Sequence, residues 1–173
     1  MTNDINSAVN PQIVSMFSGC GGLDLGFHHE GYKTIWANDF SQWACDSFRN
    51  YFGDVIRHED ITKIDPYTDE TIPDCDIILG GFPCQGFSVA NMNRNIGDER
   101  NQLYKQLIRV IDAKKPKFFL AENVKGIFSL AKGQVLKMIL DDFCVYSTQT
   151  FCGVCSAART TSSYQLCMNK TEW

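Results

Sequence analysis

The sequence PQIVSMFSGCGGLDLGF, residues 11–27, places a short apolar run directly before a cluster of glycines. Ile13–Phe17 predicts a buried strand, and Gly19, Gly21 and Gly22 predict the tight turn that ends it. Leu23–Glu30 then predicts a helix. A strand, a glycine turn and a helix in this order are typical of an α/β domain.

The same alternation continues outward through the chain. Leu103, Leu107, Val110 and Ile111, for example, fall at the spacing of one helix face. Alternating strands and helices predict an α/β fold of three layers with a mostly parallel sheet, and ligands of such sheets bind beyond the carboxyl ends of the strands. Further strands are predicted at Lys33–Ala37, Val55–Ile61, Asp76–Leu79, Lys117–Ala121 and Val145–Phe151, and further helices at Phe40–Tyr51, Asn101–Lys114 and Gln134–Phe143.

The composition is that of one globular domain. The 173 residues are 44% hydrophobic and 21% charged, near globular averages. The sequence has no apolar run of about 18 residues, which a membrane span needs. Residues 1–10 are polar, so we expect a flexible N-terminus without an export signal and a cytoplasmic protein with reduced thiols. The net charge of −4 contrasts with the basic character of domains that grip phosphates unaided.

The glycine turn and the end of the second strand carry a nucleoside-binding pattern. Asp39 lies 20 residues after Gly19 (39 − 19 = 20), the spacing of a carboxylate that binds ribose hydroxyls. Phe40 can stack on an adenine ring. Asp24 stands where the G-x-G-x-x-G motif has its third glycine, which disfavours a dinucleotide oxidoreductase. An ordinary glycine turn beside a surface aspartate is the alternative.

Two further residues near strand ends have side chains suited to catalysis. Cys84 follows a proline in a glycine-flanked loop after the strand at Asp76–Leu79, where a thiolate would meet a ligand. Glu122 ends an apolar strand, where partial burial suits a general acid. The alternatives are a small buried cysteine and a surface helix cap at Glu122-Asn123.

In this order, these segments resemble the DNA (cytosine-5) methyltransferases. The likeness covers about residues 11–130, and Pro83-Cys84-Gln85 followed by Glu122-Asn123-Val124 is its most specific part. It implies the S-adenosylmethionine-dependent methyltransferase fold, which is Rossmann-like, with an incomplete C-terminal end. The matching stretches are PQIVSMFSGCGGLDLGF, WANDF, HEDIT, DIILGGFPCQGFS, GDERNQL and KFFLAENVKG.

The resemblance implies that the cofactor is S-adenosylmethionine. The loop after the first strand would cradle it and Asp39 would hold the ribose hydroxyls. Phe40 would lie against adenine, whose edge Asp60 and Ile61 would read. The complete set of implied cofactor-binding residues is Phe17, Ser18, Gly19, Gly21, Gly22, Asp39, Phe40, Asp60, Ile61, Pro83 and Leu103.

The resemblance also implies a reaction, which is methylation of cytosine C5 in DNA. Cys84 would add to C6 of a cytosine flipped out of the duplex, and Glu122 would engage N3 so that the ring accepts negative charge. No metal is implied. The residues implied to bind substrate beside this site are Gln85, Ser88, Arg100, Asn123 and Val124.

The resemblance stops before the family's glutamine- and arginine-bearing motif, its target-recognition region and its final helix. We therefore expect a partial methyltransferase domain at residues 11–151, an atypical tail at 152–173 and no target-recognition domain. Cys152-x-x-Cys155 is one short pair, and a structural zinc site usually shows two. Residues 155–163, CSAARTTSS, can be encoded so that the neighbouring frame reads LQRRENDVF, which resembles the missing motif. We hypothesise that the tail from about Cys155 is translated out of frame.

Two functions remain open at this point. The first is S-adenosylmethionine-dependent DNA methylation, which the resemblance associates with prokaryotic restriction-modification and a location in the cytoplasm at the nucleoid. The second is a truncated inactive fragment, or a subunit that needs a partner chain for DNA recognition. Both share every motif, so only the length and the tail separate them.

Overall fold

The computed structural model describes residues 10–83, 103–128, 130–150, 156–159 and 163–169. They form seven strands, which pair in the order β3-β2-β1-β4-β5-β7-β6. The strands are β1 (Gln12–Met16), β2 (Lys33–Asp39), β3 (Ile56–His58), β4 (Ile77–Gly80), β5 (Phe118–Val124), β6 (Ser156–Arg159) and β7 (Ser163–Asn169). The described α-helices are α1 (Gly22–His29), α2 (Gln42–Phe52), α3 (Leu103–Lys114) and α4 (Gln134–Thr150).

The first five strands run parallel, and their carboxyl ends meet at one edge of the sheet. Met16 pairs with Asn38 on one side and with Gly80 on the other, and Gly80 pairs in turn with Ala121. Strand β7 runs antiparallel to both β5 and β6. The loops that follow β1, β2, β4 and β5 therefore start side by side, where ligands of parallel sheets bind.

Alternation along the strands explains the three layers. Ile13, Ile77 and Leu79 pack on the α1 side, whereas their neighbours Val14 and Ile78 pack into a separate and larger cluster. Successive side chains of a strand point to opposite faces, so each strand contributes to two apolar layers. The larger cluster includes α3 and α4 residues such as Tyr104, Leu107, Ile139 and Phe143. The α/β three-layer prediction is thus confirmed.

Two of the predicted elements differ in the structure. The prediction of a strand at Val145–Phe151 is wrong for its described part, because α4 continues to Thr150. No glycine or proline separates Phe143 from Val145, and each added helical residue gains a hydrogen bond, so the helix propagates. The strand predicted at Val55–Ile61 is limited to β3 and is followed by a 3₁₀ turn at Ile61–Lys63. No helix in the described residues combines the length and hydropathy needed to cross a membrane.

Candidate active site

The loop after β1 adopts a conformation that depends on glycine. Gly19 and Gly21 have φ values of 56° and 87°, both in the left-handed region. A Cβ on Gly21 would lie 2.3 Å from Cε2 of Phe52, so this part of the loop lies directly against α2. Phe17 also has a positive φ, 52°, which is uncommon for a bulky residue and is concentrated at functional sites. The loop therefore turns sharply at the edge where ligands are expected.

Asp39 joins this loop to the beginning of α2. Its Oδ2 accepts a hydrogen bond of 2.9 Å from the Gly19 N–H, and its Oδ1 accepts one of 2.9 Å from the Ser41 N–H. Each carboxylate oxygen has two lone pairs, so each keeps one acceptor site beyond these bonds. Two acceptor sites on one carboxylate match a pair of neighbouring hydroxyls, such as those of a ribose.

Asp60 begins the 3₁₀ turn that follows β3. Its Oδ1 accepts hydrogen bonds from the backbone N–H and the hydroxyl of Thr62, at 3.0 and 2.8 Å. These two bonds hold the pKa of the Asp60 carboxyl below its usual value. Ile61 is buried in the larger apolar cluster and anchors the turn to it. The segment thus presents an ionised carboxylate on a fixed backbone.

These segments surround a cavity of about 530 Å³, which we call the first cavity. Small-molecule sites span roughly 300–1,000 Å³, so this volume suits a nucleoside-sized ligand. The Phe40 side chain, 74% exposed, lies at this cavity with its ring available for stacking. Seven predicted cofactor residues meet here, and the full lining is Phe17, Asn38, Asp39, Phe40, Glu59, Asp60, Ile61, Thr62, Gly81, Pro83 and Leu103.

A second cavity of about 400 Å³ adjoins the first. Phe17 and Gly81 line both cavities. A Cβ on Gly81 would lie 3.7 Å from Oε2 of Glu122, so the glycine leaves open space between the two. The second cavity contains the predicted residues Ser18, Gly22 and Glu122, and its full lining is Ser15, Met16, Phe17, Ser18, Gly22, Leu23, Asp24, Gly81 and Glu122.

The three residues Glu122-Asn123-Val124 lie within β5, not in a helix cap. Glu122 is half-buried and lines the second cavity. Asn123 faces the opposite side of the sheet, is 4% exposed, and donates a hydrogen bond of 2.7 Å to the carbonyl of Phe82. Val124 is 60% exposed. Of the three, Glu122 is therefore the residue that this strand brings to the second cavity.

Four predicted site residues lie outside the described residues, namely Cys84, Gln85, Ser88 and Arg100. Pro83, which immediately precedes Cys84, is described and lines the first cavity. The described residue directly before the predicted nucleophile therefore lies at the cavity where the predicted cofactor residues meet.

Asp24 has a structural role that the sequence did not predict. In the sequence it was noted only because it stands where a dinucleotide-binding motif has its third glycine. It is fully buried and accepts hydrogen bonds from the Ser15 hydroxyl at 2.9 Å and the Thr34 hydroxyl at 2.8 Å. Burial raises the pKa of this carboxyl, against the lowering effect of the two hydroxyls. Asp24 thereby ties α1 to β1 and β2 beneath the second cavity, and no local sequence pattern announces partners nine and ten residues away.

Comparison with known proteins gives sequence relatives that are longer than this chain. The Type II methyltransferase M.NgoFVII of Neisseria gonorrhoeae is 55% identical over 150 residues, which cover 85% of this chain and 40% of that protein. The Type II methyltransferase M.BsuRI of Bacillus subtilis is 40% identical over an alignment 161 residues long, and the match covers 76% of this chain and 36% of that protein. The chain thus spans 40% or less of these two relatives.

Solved structures and a family model agree with these relatives. A DNA modification methyltransferase encoded within an E. coli prophage superposes with a TM-score of 0.71 at 26% identity, over 93% of this chain and 47% of that one. The Dnmt2 methyltransferase of S. pombe shares the fold, with a TM-score of 0.65 at 19% identity over 95% of this chain and 53% of that one. The family model for C-5 cytosine-specific DNA methylases matches residues 11–158. This chain belongs to the C-5 cytosine-specific DNA methylase family.

Proposed function

We propose that this chain is the cofactor-binding and catalytic part of an enzyme that methylates cytosine C5 in DNA with S-adenosylmethionine. One observation carries the proposal. A cavity that contains Asp39 and Asp60 adjoins a cavity that contains Glu122, with Gly81 at their junction. A methyl donor in the first and a base near the second would meet at that junction.

The residues of the first cavity suit S-adenosylmethionine. Asp39 keeps two acceptor sites for ribose hydroxyls beside its bonds to Gly19 and Ser41. The exposed ring of Phe40 suits stacking on adenine. Asp60 adds an acceptor for the exocyclic amine of adenine, and Pro83 brings the cavity next to Cys84.

The chemistry that we propose uses two side chains of this chain. The thiolate of Cys84 adds to C6 of a cytosine that has left the base stack. Glu122 donates a proton to N3, so the ring accepts the electron pair displaced from C6. Bound S-adenosylmethionine supplies the electrophilic methyl group for C5. A water molecule then takes the C5 proton, the freed electron pair forms the C5–C6 double bond, and the bond between sulfur and C6 breaks to release Cys84 as a thiolate. N3 returns its proton to Glu122, which restores the ring.

Cofactor binding is the direct test on the chain as it stands. Calorimetry should detect S-adenosylmethionine binding, and Asp39→Asn should weaken it about ten-fold or more, because hydrogen bonds to a charged group are lost. Asp54→Asn is the matched control, since the side chain of that aspartate is 88% exposed and forms an ion pair with Arg49. Equal affinity of the chain and its Asp39→Asn variant would contradict the ribose assignment.

Covalent trapping tests the nucleophile. Fluorine at C5 cannot leave as the proton does, so DNA containing 5-fluorocytosine should stay attached to the chain. The assay compares the chain alone with a mixture that contains the part of M.NgoFVII that this chain does not cover. In the mixture, with S-adenosylmethionine present, we expect an adduct for the chain and for Cys20→Ser, which changes an exposed cysteine, and none for Cys84→Ser. An adduct on Cys84→Ser would show that another residue attacks.

We also propose that target recognition is supplied from outside these 173 residues, by further sequence or by a partner chain. The net charge of −4 supports this, since DNA affinity depends on neutralising phosphates with Lys and Arg. The out-of-frame reading of the tail from about Cys155 makes the same proposal testable on the gene. A nucleotide sequence whose neighbouring frame lacks LQRRENDVF and its continuation would reject that reading.

A further inference from the structure

Asn38 is a buried polar residue to which the sequence assigned no role. It lies next to the end of β2 and is 1% exposed, in the wall of the first cavity. Its side-chain Nδ2 donates two hydrogen bonds, to the carbonyl of Arg57 at 3.1 Å and to the carbonyl of Glu59 at 2.8 Å. One amide nitrogen therefore holds the backbone that leads directly into Asp60.

The main chain of Asn38 holds the opposite side of the same cavity. Its carbonyl accepts a hydrogen bond of 3.1 Å from the Ser18 N–H and one of 3.4 Å from the Ser18 hydroxyl. Ser18 is followed by Gly19, whose N–H is bound by Asp39. The carbonyl of Asp39 in turn accepts a bond of 3.1 Å from the Glu59 N–H. The glycine loop and the Asp60 segment are thus connected through two successive residues, Asn38 and Asp39.

The far side of the Asp60 segment is fixed separately. The Arg57 guanidinium pairs with Glu59 at 2.7 Å and with Asp69, whose pKa it helps to hold near 2 behind the larger effect of the Thr71 hydroxyl. This network holds the segment on its partly exposed side, whereas Asn38 holds it on its buried side. The position of the Asp60 segment relative to the glycine loop therefore depends on the Asn38 side chain together with the main chain of Asp39.

We propose that Asn38 is a positioning residue that sets the distance between the ribose-binding and adenine-binding halves of the first cavity. This inference rests on the proposed function and identifies Asn38 as the residue that couples recognition of the ribose to recognition of the adenine. Only a side chain with two N–H donors can satisfy both carbonyls. A carboxylate in its place would direct acceptors at acceptors, and a hydroxyl has one donor to offer.

Ligand truncation measures the coupling. S-adenosylhomocysteine, its 2′-deoxy analogue and its 6-deamino analogue are titrated into the chain. The affinity for S-adenosylhomocysteine divided by that for the 2′-deoxy analogue is the ribose ratio, and the affinity for S-adenosylhomocysteine divided by that for the 6-deamino analogue is the adenine ratio. In Asn38→Asp both ratios should fall together by about three-fold or more, because each ratio depends on hydrogen bonds to a carboxylate, which contribute about ten-fold or more only when they are well positioned. Asp60→Asn should lower the adenine ratio alone. Asn50→Asp, which adds the same charge on the exposed face of α2, should change neither.

A fall in only one ratio, or in neither, would overturn the proposal, because Asn38 would then be a local anchor. Asn38→Ser repeats the measurement without the added charge should Asn38→Asp fail to fold. Failure of the unchanged chain to bind S-adenosylhomocysteine would count against the proposed function instead. Hydrogen exchange in the ligand-free chain then decides on Asn38: faster exchange of the Ser18 and Glu59 amides together supports the coupling, and any other pattern rejects it.

Discussion

The side-chain amide of Asn123 donates a hydrogen bond of 2.7 Å to the main-chain carbonyl of Phe82. This bond connects β5 to the loop after β4, two residues before Cys84. Asn123 and Glu122 point to opposite faces of β5, so one residue secures the loop while its neighbour lines the second cavity. Strand β5 therefore carries the proposed acid and also holds Phe82, which precedes the proposed nucleophile by two residues.

Replacing Asn123 should destabilise the chain. Asn123→Ala leaves the Phe82 carbonyl without its donor in a buried site, which should lower the free energy of unfolding by about 1–3 kcal/mol. Asn50→Ala is the matched control, since an exposed change of this kind should stay within about 0.5 kcal/mol. Urea unfolding gives both values. Equal effects at the two positions would mean that the bond to Phe82 contributes no stability.

Gly81 should be replaceable without loss of the fold but with loss of cofactor binding. A Cβ there meets Oε2 of Glu122 at 3.7 Å and the Phe17 carbonyl at 3.9 Å, which are ordinary contact distances, and its φ lies outside the left-handed region. Gly81→Ala should therefore keep stability within about 0.5 kcal/mol. Because the methyl group fills the junction, affinity for S-adenosylmethionine should fall while affinity for adenosine is retained.

Gly80, the neighbouring residue, provides a contrast to Gly81 in the measurement of stability. A Cβ on Gly80 would lie 2.6 Å from Cδ2 of Leu107, in the apolar core. Gly80→Ala should therefore cost about 1–3 kcal/mol of stability through overpacking. Equal loss of adenosine and S-adenosylmethionine affinity in Gly81→Ala would show that Gly81 does not lie at the junction that the methionine part of the cofactor crosses.

Gly21 should tolerate no side chain. Its φ of 87° is left-handed, and an added Cβ would lie 2.3 Å from Cε2 of Phe52. Backbone strain and overpacking together should cost about 2–4 kcal/mol in Gly21→Ala. Gly26→Ala in α1 has open space and should instead stabilise the chain by about 0.5–1 kcal/mol. Thermal unfolding that ranks the two variants in the opposite order would refute the assigned loop conformation.

The parts of the fold that the sequence predicts are those encoded locally. β1, the glycine turn and α1 follow from an apolar run, three glycines and a helical segment, and the structure bounds them at Gln12–Met16 and Gly22–His29. The prediction at Val145–Phe151 was wrong because its β-branched and aromatic residues favour a strand: Val145, Tyr146, Thr148, Thr150 and Phe151. Nothing local indicates a helix there, and the continuation of α4 decides.

The candidate site divides in the same way. Asp39, Asp60 and Glu122 lie within two residues of the carboxyl ends of β2, β3 and β5, so a parallel-sheet prediction already brings them to one edge. Asn38 and Asp24 could not be identified, because their roles depend on partners in other elements: Asn38 on carbonyls 19 and 21 residues away, and Asp24 on hydroxyls nine and ten residues away. Such contacts exist only once the strands have paired.

The buried carboxyl of Asp24 should give the chain a pH-dependent stability of a defined sign. Burial raises its pKa above 3.8, so the folded chain keeps this proton to a higher pH than the unfolded chain does. As pH rises from 3.8 through the raised value, the unfolded state loses the proton first, and stability from this group falls.

Asp24→Asn keeps the shape and cannot titrate. Its Oδ1 can accept from one of the Ser15 and Thr34 hydroxyls, and its amide can donate to the other. Urea unfolding between pH 4 and 8 should therefore show the variant gaining stability relative to the original chain as pH rises, with the gain levelling off once Asp24 is ionised. Glu70→Gln, at an exposed position, should leave the original profile in place. A difference between Asp24→Asn and the original chain that is constant with pH, or that shrinks as pH rises, would contradict a raised pKa at Asp24.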